Sequence, residues 1–218
     1  MFLFLLVSVP ITYLLLLSVT GQTNQPAQVT LIPFVKGSLL FLPVLVAVLV
    51  LEYAVPNQFN PAPLYLRYAL LRQAVPFAVA VAGALIVTRG GIRTDLGAAT
   101  TAVLSFFSGF YMVFGIFDAV VNIGRTDPYV LFLMPAGRIV ILLLAPYIVI
   151  AAVREVGLPK AAMILANVAL PFLLGAVPLL YRVGFRQWAL VAAVGLLAAA
   201  VLVYLRLVLQ ALPRGHAA

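Results

Sequence analysis

The chain contains no cysteine, a single histidine and only five acidic residues in 218 positions. Without cysteine there is no disulfide, no thiolate nucleophile and no thiolate metal site. The one histidine, His216, stands close to the C-terminus, so no imidazole is available inside the chain for haem ligation. One histidine and five scattered acids leave little from which to build a metal centre. No cofactor and no metal are expected. Charge of either sign is also scarce, at 8% of residues, where a soluble domain carries about 25%. A surface that faces water cannot be covered so thinly. With 66% hydrophobic residues and a mean hydropathy of +1.22, the outer surface is expected to face lipid.

The usual intramembrane chemistries are missing their parts. There is no HExxH pair for a zinc protease. The final apolar run carries no lysine for a retinal Schiff base. Serine hydrolysis needs a base beside the nucleophile, and Ser108 has neither histidine nor lysine near it in sequence. Paired-aspartate chemistry needs two acids at close range, whereas the acids here are spread over different segments. A catalytic role is therefore not the leading expectation. An intramembrane enzyme acting on a lipid, with Asp118 or Glu52 as a lone acid or base, stands as a third alternative.

The net charge of +8 does not point to nucleic acid. Nucleic-acid binding needs basic residues clustered on one wet face, and here they stand singly or in pairs at the ends of apolar runs. In that position Arg and Lys set topology and contact anionic headgroups.

A span needs about 20 apolar residues, and seven runs qualify: about 2–19, 34–54, 67–88, 97–123, 129–153, 160–181 and 188–211. The first has no basic leader and its apolar run fills the whole stretch, so it is read as a retained helix rather than a secretory signal. The connections between runs are short and rich in Gly, Pro, Asn and Asp, too short for a soluble domain. The expectation is an all-α polytopic bundle forming one transmembrane domain over 1–218. Proline recurs inside the runs, at Pro10, Pro43, Pro76, Pro135, Pro146, Pro171 and Pro178. Kinks at Pro135 and Pro146 would permit rearrangement. Small residues at Ala192, Gly195 and Ala199, and at Ala78, Ala82 and Gly83, mark faces where helices can approach closely.

Let face A be the one carrying the N-terminus and the connections after the second, fourth and sixth helices. Its helix ends carry Arg67, Arg72, Arg125, Arg182 and Arg186; the opposite face B carries Lys36, Arg89, Arg93, Arg154, Lys160, Arg206 and Arg214. The excess of basic residues on B places that face in the cytoplasm. The expected location is a prokaryotic cell (inner) membrane, N-terminus outside and C-terminus inside.

Ionisable residues at membrane depth are costly and are by default functional candidates. In the fourth run Thr101, Ser105, Ser108, Gly115, Asp118 and Asn122 recur at helical spacing, with Tyr111 at the margin. That is one polar face on an otherwise apolar helix, and it must point at other helices or at water. Arg138 lies ten residues past Pro128, roughly 15 Å along the next helix at 1.5 Å per residue. The tight turn between these helices brings Asp118 within reach, so the two are expected to pair. Glu52 and Arg72 approach from the same face and form a second expected pair. The candidates for a ligand or ion pathway are Asp118, Arg138, Asn122, Ser108, Tyr111, Glu52 and Arg72, around a polar pocket open to face A and lined by helices two to five. Purely structural ion pairing is the alternative account of the same charges. In the connection 89–95, adjacent glycines between Arg89 and Arg93 offer amides and guanidiniums to a lipid headgroup; an ordinary turn is the alternative.

The leading functional expectation is a small transporter, channel or permease subunit. The alternative is a non-catalytic scaffold or regulatory subunit of a larger membrane complex. Expected partners are the lipid bilayer, a small solute or ion, and either a second copy of the chain or another membrane subunit.

Overall fold

The computed structural model describes the backbone of residues 2–19, 25–54, 61–88, 96–124, 127–154 and 156–211, and the side chains of most of these. All regular structure among them is helical. The described residues form a helical membrane bundle of seven helices. They are α1 (Phe2–Val19), α2 (Leu31–Ala54), α3 (Pro61–Tyr65, Leu66–Ala74 and Val75–Val87 in succession), α4 (Leu96–Val121), α5 (Tyr129–Leu133 and Met134–Arg154), α6 (Leu158–Arg182) and α7 (Arg186–Ala211). Six are long and apolar enough to cross a membrane. The 18 residues of α1 span about 27 Å, close to the thickness of a hydrocarbon core.

The observed second and third helices begin earlier than 34 and 67. Thr30 and Leu31 already donate to carbonyls of the preceding turn (Thr30 N to Pro26 O, Leu31 N to Ala27 O). Pro61 suits a helix start, where its missing N–H is not needed.

Two segments wind more widely than an α-helix. Leu66–Ala74 of α3 and Tyr129–Leu133 of α5 are π-helical. At their ends Val75 N bonds to Leu70 O and Met134 N to Tyr129 O, five residues back. Both stand just before a proline, Pro76 and Pro135. A proline ring collides with the carbonyl four residues earlier and removes a donor. A preceding wide turn relieves that collision and rotates the side chains before it. Pro10, Pro43, Pro146, Pro171 and Pro178 lie inside α-helical turns.

Helix α4 is the centre of the bundle. Of its apolar span 67% is buried, against 22% for α2 and α7. It packs against α1, α2, α3 and α5. The α2–α4 crossing is close because two glycines meet it. A Cβ on Gly37 would fall 2.1 Å from Phe106 O, and one on Gly109 would fall 2.0 Å from Phe34 O, so neither position admits a side chain without separating the helices. Ser38 Oγ donates across this contact to Gly109 O at 3.2 Å. Helix α1 joins the core through Val9, Leu16 and Leu17, and the Tyr13 hydroxyl bonds to Ser105 Oγ at 2.8 Å.

The small-residue faces divide. Gly83 is buried against Leu40 and Phe106. Gly195 has nothing within 4 Å, and Ala78, Ala82 and Ala199 are exposed. Helix α7 instead turns Ala189, Ala193 and Ala200 inward, a stripe rotated from the one expected.

Candidate functional site

The site grows from α4. Its polar residues do share one interior face: Thr101, Ser105 and Ser108 have no exposed surface, and Asp118 and Asn122 are 6% and 7% exposed. The two outermost tie to the backbone of their own helix: Thr101 Oγ1 donates to Gly97 O at 2.9 Å and Asn122 Nδ2 to Asp118 O at 2.8 Å. In lipid a polar side chain must find such a partner, because no water competes for it.

Arg138, on the α-helical part of α5, donates through Nη2 to Asp118 Oδ2. This is the pair expected from the α4–α5 hairpin. The guanidinium also donates from Nη1 to Tyr111 O at 3.4 Å and lies 4.7 Å from the centre of the Phe114 ring. Three kinds of contact thus hold one buried cation: a carboxylate, a carbonyl and an aromatic face. Removing water from both ions is costly, and their attraction offsets that cost only where the remaining hydrogen-bond groups are also served.

Beside the pair lies a chamber of about 50 Å³. Tyr68, Arg72 and Gln73 of α3, Tyr111, Phe114 and Asp118 of α4, and Arg138 of α5 line it, with α6 and α7 closing the far side through Leu174, Val177, Ala193 and Leu196. Next to it is a vestibule of about 320 Å³, lined by Arg67, Tyr68, Arg72, Val121, Asn122, Tyr129, Met134 and Arg182. The two spaces share Tyr68, Arg72, Tyr129 and Met134. Val121 and Arg182 are exposed, so the vestibule reaches the protein surface at face A, where α4 and α6 end.

The chamber differs from the expected pocket in its walls. Helices α3 to α7 form it, rather than helices two to five. Among the described residues, Phe41, Leu45, Val48 and Leu49 of α2 border a separate crevice of about 20 Å³ together with Asp118 and Arg72. The reason is the α2–α4 glycine contact, which leaves no room on that side.

Toward face B the interior closes. Phe41 stacks on Phe114 at 4.9 Å and meets Phe110 edge-on at 5.2 Å, while Tyr111 stacks between Phe107 and Phe114 at 6.3 and 6.1 Å. Within this aromatic layer the Tyr111 hydroxyl and Ser108 Oγ are buried with no hydrogen-bond partner among the described residues. Such groups are uncommon in native interiors.

Of the other candidates, Arg72 lines both chamber and vestibule, and its guanidinium lies 5.7 Å from the Tyr68 ring centre. The Glu52 side chain lies outside the described residues, and so does the expected pair it would form with Arg72. Arg89 and Arg93 also lie outside them. Ser108 lines none of these spaces. Arg67 and Arg182 read from the sequence as topogenic charges, and nothing there singles out Tyr68 or Tyr129. The signal available for the arginines was their shared face. The tyrosines are turned inward by the two π-helical segments. Asn167 faces a separate groove of about 700 Å³ between α3, α5 and α6.

No protein-family model matches this chain, and no curated protein or solved structure matches it either.

Proposed function

We propose that the protein is a small transporter, channel or permease subunit, in which a solute enters from face A and passes the Asp118–Arg138 pair. The chain forms one transmembrane domain, and face A is the outer side of a prokaryotic cell membrane. The observation that supports this is a pair of adjoining spaces that share Tyr68, Arg72, Tyr129 and Met134, the outer one reaching the surface at Arg182 and the inner one the buried ion pair. An ion pair that served packing alone has no need of a space beside it that adjoins a surface vestibule. The aromatic layer of Phe107, Phe110, Tyr111 and Phe114 closes the path toward face B, as a one-sided state of an alternating-access or gated protein requires. Ser108 Oγ and the Tyr111 hydroxyl supply the next polar groups along α4 once that layer parts. Pro135, beside the π-helical start of α5, gives that helix a joint close to Arg138.

The test is uptake of labelled solutes into liposomes holding the purified full-length chain. Uptake by the wild type, reduced at least about tenfold in Asp118→Asn, supports the reading; a tenfold change corresponds to about 1.4 kcal/mol in the rate-limiting barrier. Folded protein that moves none of the small ions, acids, amines and sugars supplied contradicts it.

A scaffold role is favoured by one observation. The outer face of α7 exposes Val191, Val194 and Leu202 around Gly195. A lipid-facing helix has the same appearance, so transport remains the conclusion.

A further inference from the structure

Helices α3 and α6 meet toward face A and part toward face B. A Cβ on Gly175 would fall 2.4 Å from Ala69 Cα, so the two backbones touch with no side chain between them. The contact runs along the π-helical segment Leu66–Ala74, and the Tyr65 hydroxyl donates to Phe172 O at 3.4 Å. Past Ala74 the main contacts of α3 change: Val75–Val87 packs on α2 and α4. The wedge left between α3 and α6 is the groove of about 700 Å³. One wall is Ala74, Ala78 and Ala82 of α3, and the other is Lys160, Ile164, Val168 and Phe172 of α6. Each set repeats every four residues and so shares one face of its helix. Val149 and Val153 of α5 form the floor. Ala78, Ala82, Ile164 and Val168 are exposed, so the groove opens sideways to the bilayer.

Its dimensions select the occupant. Phe172 lies twelve residues past Lys160, roughly 18 Å of helix. That is close to one leaflet of a hydrocarbon core about 30 Å thick. A transmembrane helix of that length and about 10 Å diameter would fill about 1,400 Å³, twice the space, whereas an acyl chain is thin enough to lie in it. Apolar contact alone selects no particular lipid, because bulk lipid offers the same surroundings. Selection comes from two polar groups. Lys160 stands at the face B end, where its ammonium reaches headgroup level along an apolar stem. Among the described residues it forms no ion pair, and no acid lines the groove. The sequence at this corner carries Arg154 and Lys160 against Glu155, an excess of positive charge. Deeper in the groove is Asn167. Its Nδ2 donates to Met163 O at 3.2 Å, and its Oδ1 is buried with no partner among the described residues. That amide is under-served for a site without water, and its second N–H is available to an acceptor. The ester carbonyls below the phosphate of a glycerophospholipid are such acceptors.

We infer that the groove between α3, α5 and α6 binds one anionic glycerophospholipid of the face B leaflet, with an acyl chain along the alanine stripe, its phosphate at Lys160 and an ester carbonyl at Asn167. The site lies toward the opposite face from the vestibule and stands whether or not the chain moves a solute.

The test is native mass spectrometry of the full-length protein released from detergent micelles, titrated with phosphatidylglycerol or with phosphatidylcholine of the same chains. The wild type is expected to retain one phosphatidylglycerol with about fivefold or more higher affinity than phosphatidylcholine, the worth of one basic residue beside anionic lipid. Lys160 and Arg206 are both exposed, so their glutamine variants are expected to fold. Lys160→Gln should remove the preference, and Arg206→Gln, at the same face on α7, should keep it. Ala82→Phe fills the groove from an exposed position and should lose the bound lipid itself. No preference in the wild type, a preference unchanged in Lys160→Gln or lost equally in Arg206→Gln, or a lipid retained in Ala82→Phe overturns the inference. A protein dimer that dissociates in Ala82→Phe would seat a second copy of the chain in the groove and overturn it as well.

Discussion

Replacing Asp118 with asparagine keeps the side-chain shape and removes its charge, leaving Arg138 a buried cation without its carboxylate. Breaking a buried pair in this way typically costs about 3–5 kcal/mol. Three features of this site reduce that figure. Tyr111 O still accepts from Arg138 at 3.4 Å. The Phe114 ring still faces the guanidinium at 4.7 Å, a contact of about 0.5–2 kcal/mol. The adjoining chamber of about 50 Å³ has room for roughly three waters. The expected loss is therefore about 2 kcal/mol, measured as the change in unfolding free energy in detergent micelles. The double variant Asp118→Asn/Arg138→Gln removes both charges and should lie within about 1 kcal/mol of the wild type. A single variant that loses less than about 0.5 kcal/mol, or a double variant whose loss is the sum of the two singles, would refute this account of the pair.

Two further outcomes follow from the packing. Gly109→Ala places a Cβ 2.0 Å from Phe34 O and should cost about 1–3 kcal/mol through overpacking. Gly195→Ala meets nothing within 4 Å and should leave the unfolding midpoint unchanged or higher; equal effects of the two would contradict the α2–α4 contact. Tyr13→Phe deletes the bond to Ser105 Oγ and should cost about 1 kcal/mol, seen as a lower midpoint in the same assay, whereas no change would show that this bond does not help to hold α1.

Much of this arrangement is legible in the residues. Polar side chains are conspicuous in a run that is otherwise Phe, Val, Leu and Ile, and their helical spacing assigns them to one face. The Asp118–Arg138 pair follows from a short turn, the rise per residue and the length of an arginine side chain, which leans toward the turn to reach the shallower Asp118. The walls of the chamber are not legible in the same way. They depend on which helices touch, and the decisive contact, Gly37 and Gly109 against facing backbone, involves residues that carry no side chain to signal it. The π-helical turns are partly legible in retrospect. Pro76 and Pro135 announce a fault in the helix, but the same is true of Pro43 and Pro146, which are accommodated within α-helical turns. Because those wide turns rotate Tyr68 and Tyr129 inward, the vestibule's lining could not be read from periodicity. Helix α7 shows the limit of composition. Ala192, Gly195 and Ala199 invite close packing, yet Ala189, Ala193 and Ala200 face the bundle, since small residues stand on more than one face of that helix.

The central claim is that water, and therefore solute, reaches the buried ion pair from face A. The absence of native cysteine makes a direct measurement available: single cysteines probed with a membrane-impermeant thiol reagent added to either side of sealed vesicles. Met134 lines both vestibule and chamber, Gly137 lines the chamber beside Arg138, and Thr101 is fully buried farther along α4. The account predicts that Met134→Cys and Gly137→Cys react from face A alone and Thr101→Cys from neither side. Folded protein in which Gly137→Cys stays unreactive from both sides would mean the ion pair is sealed and dry, and would contradict the account.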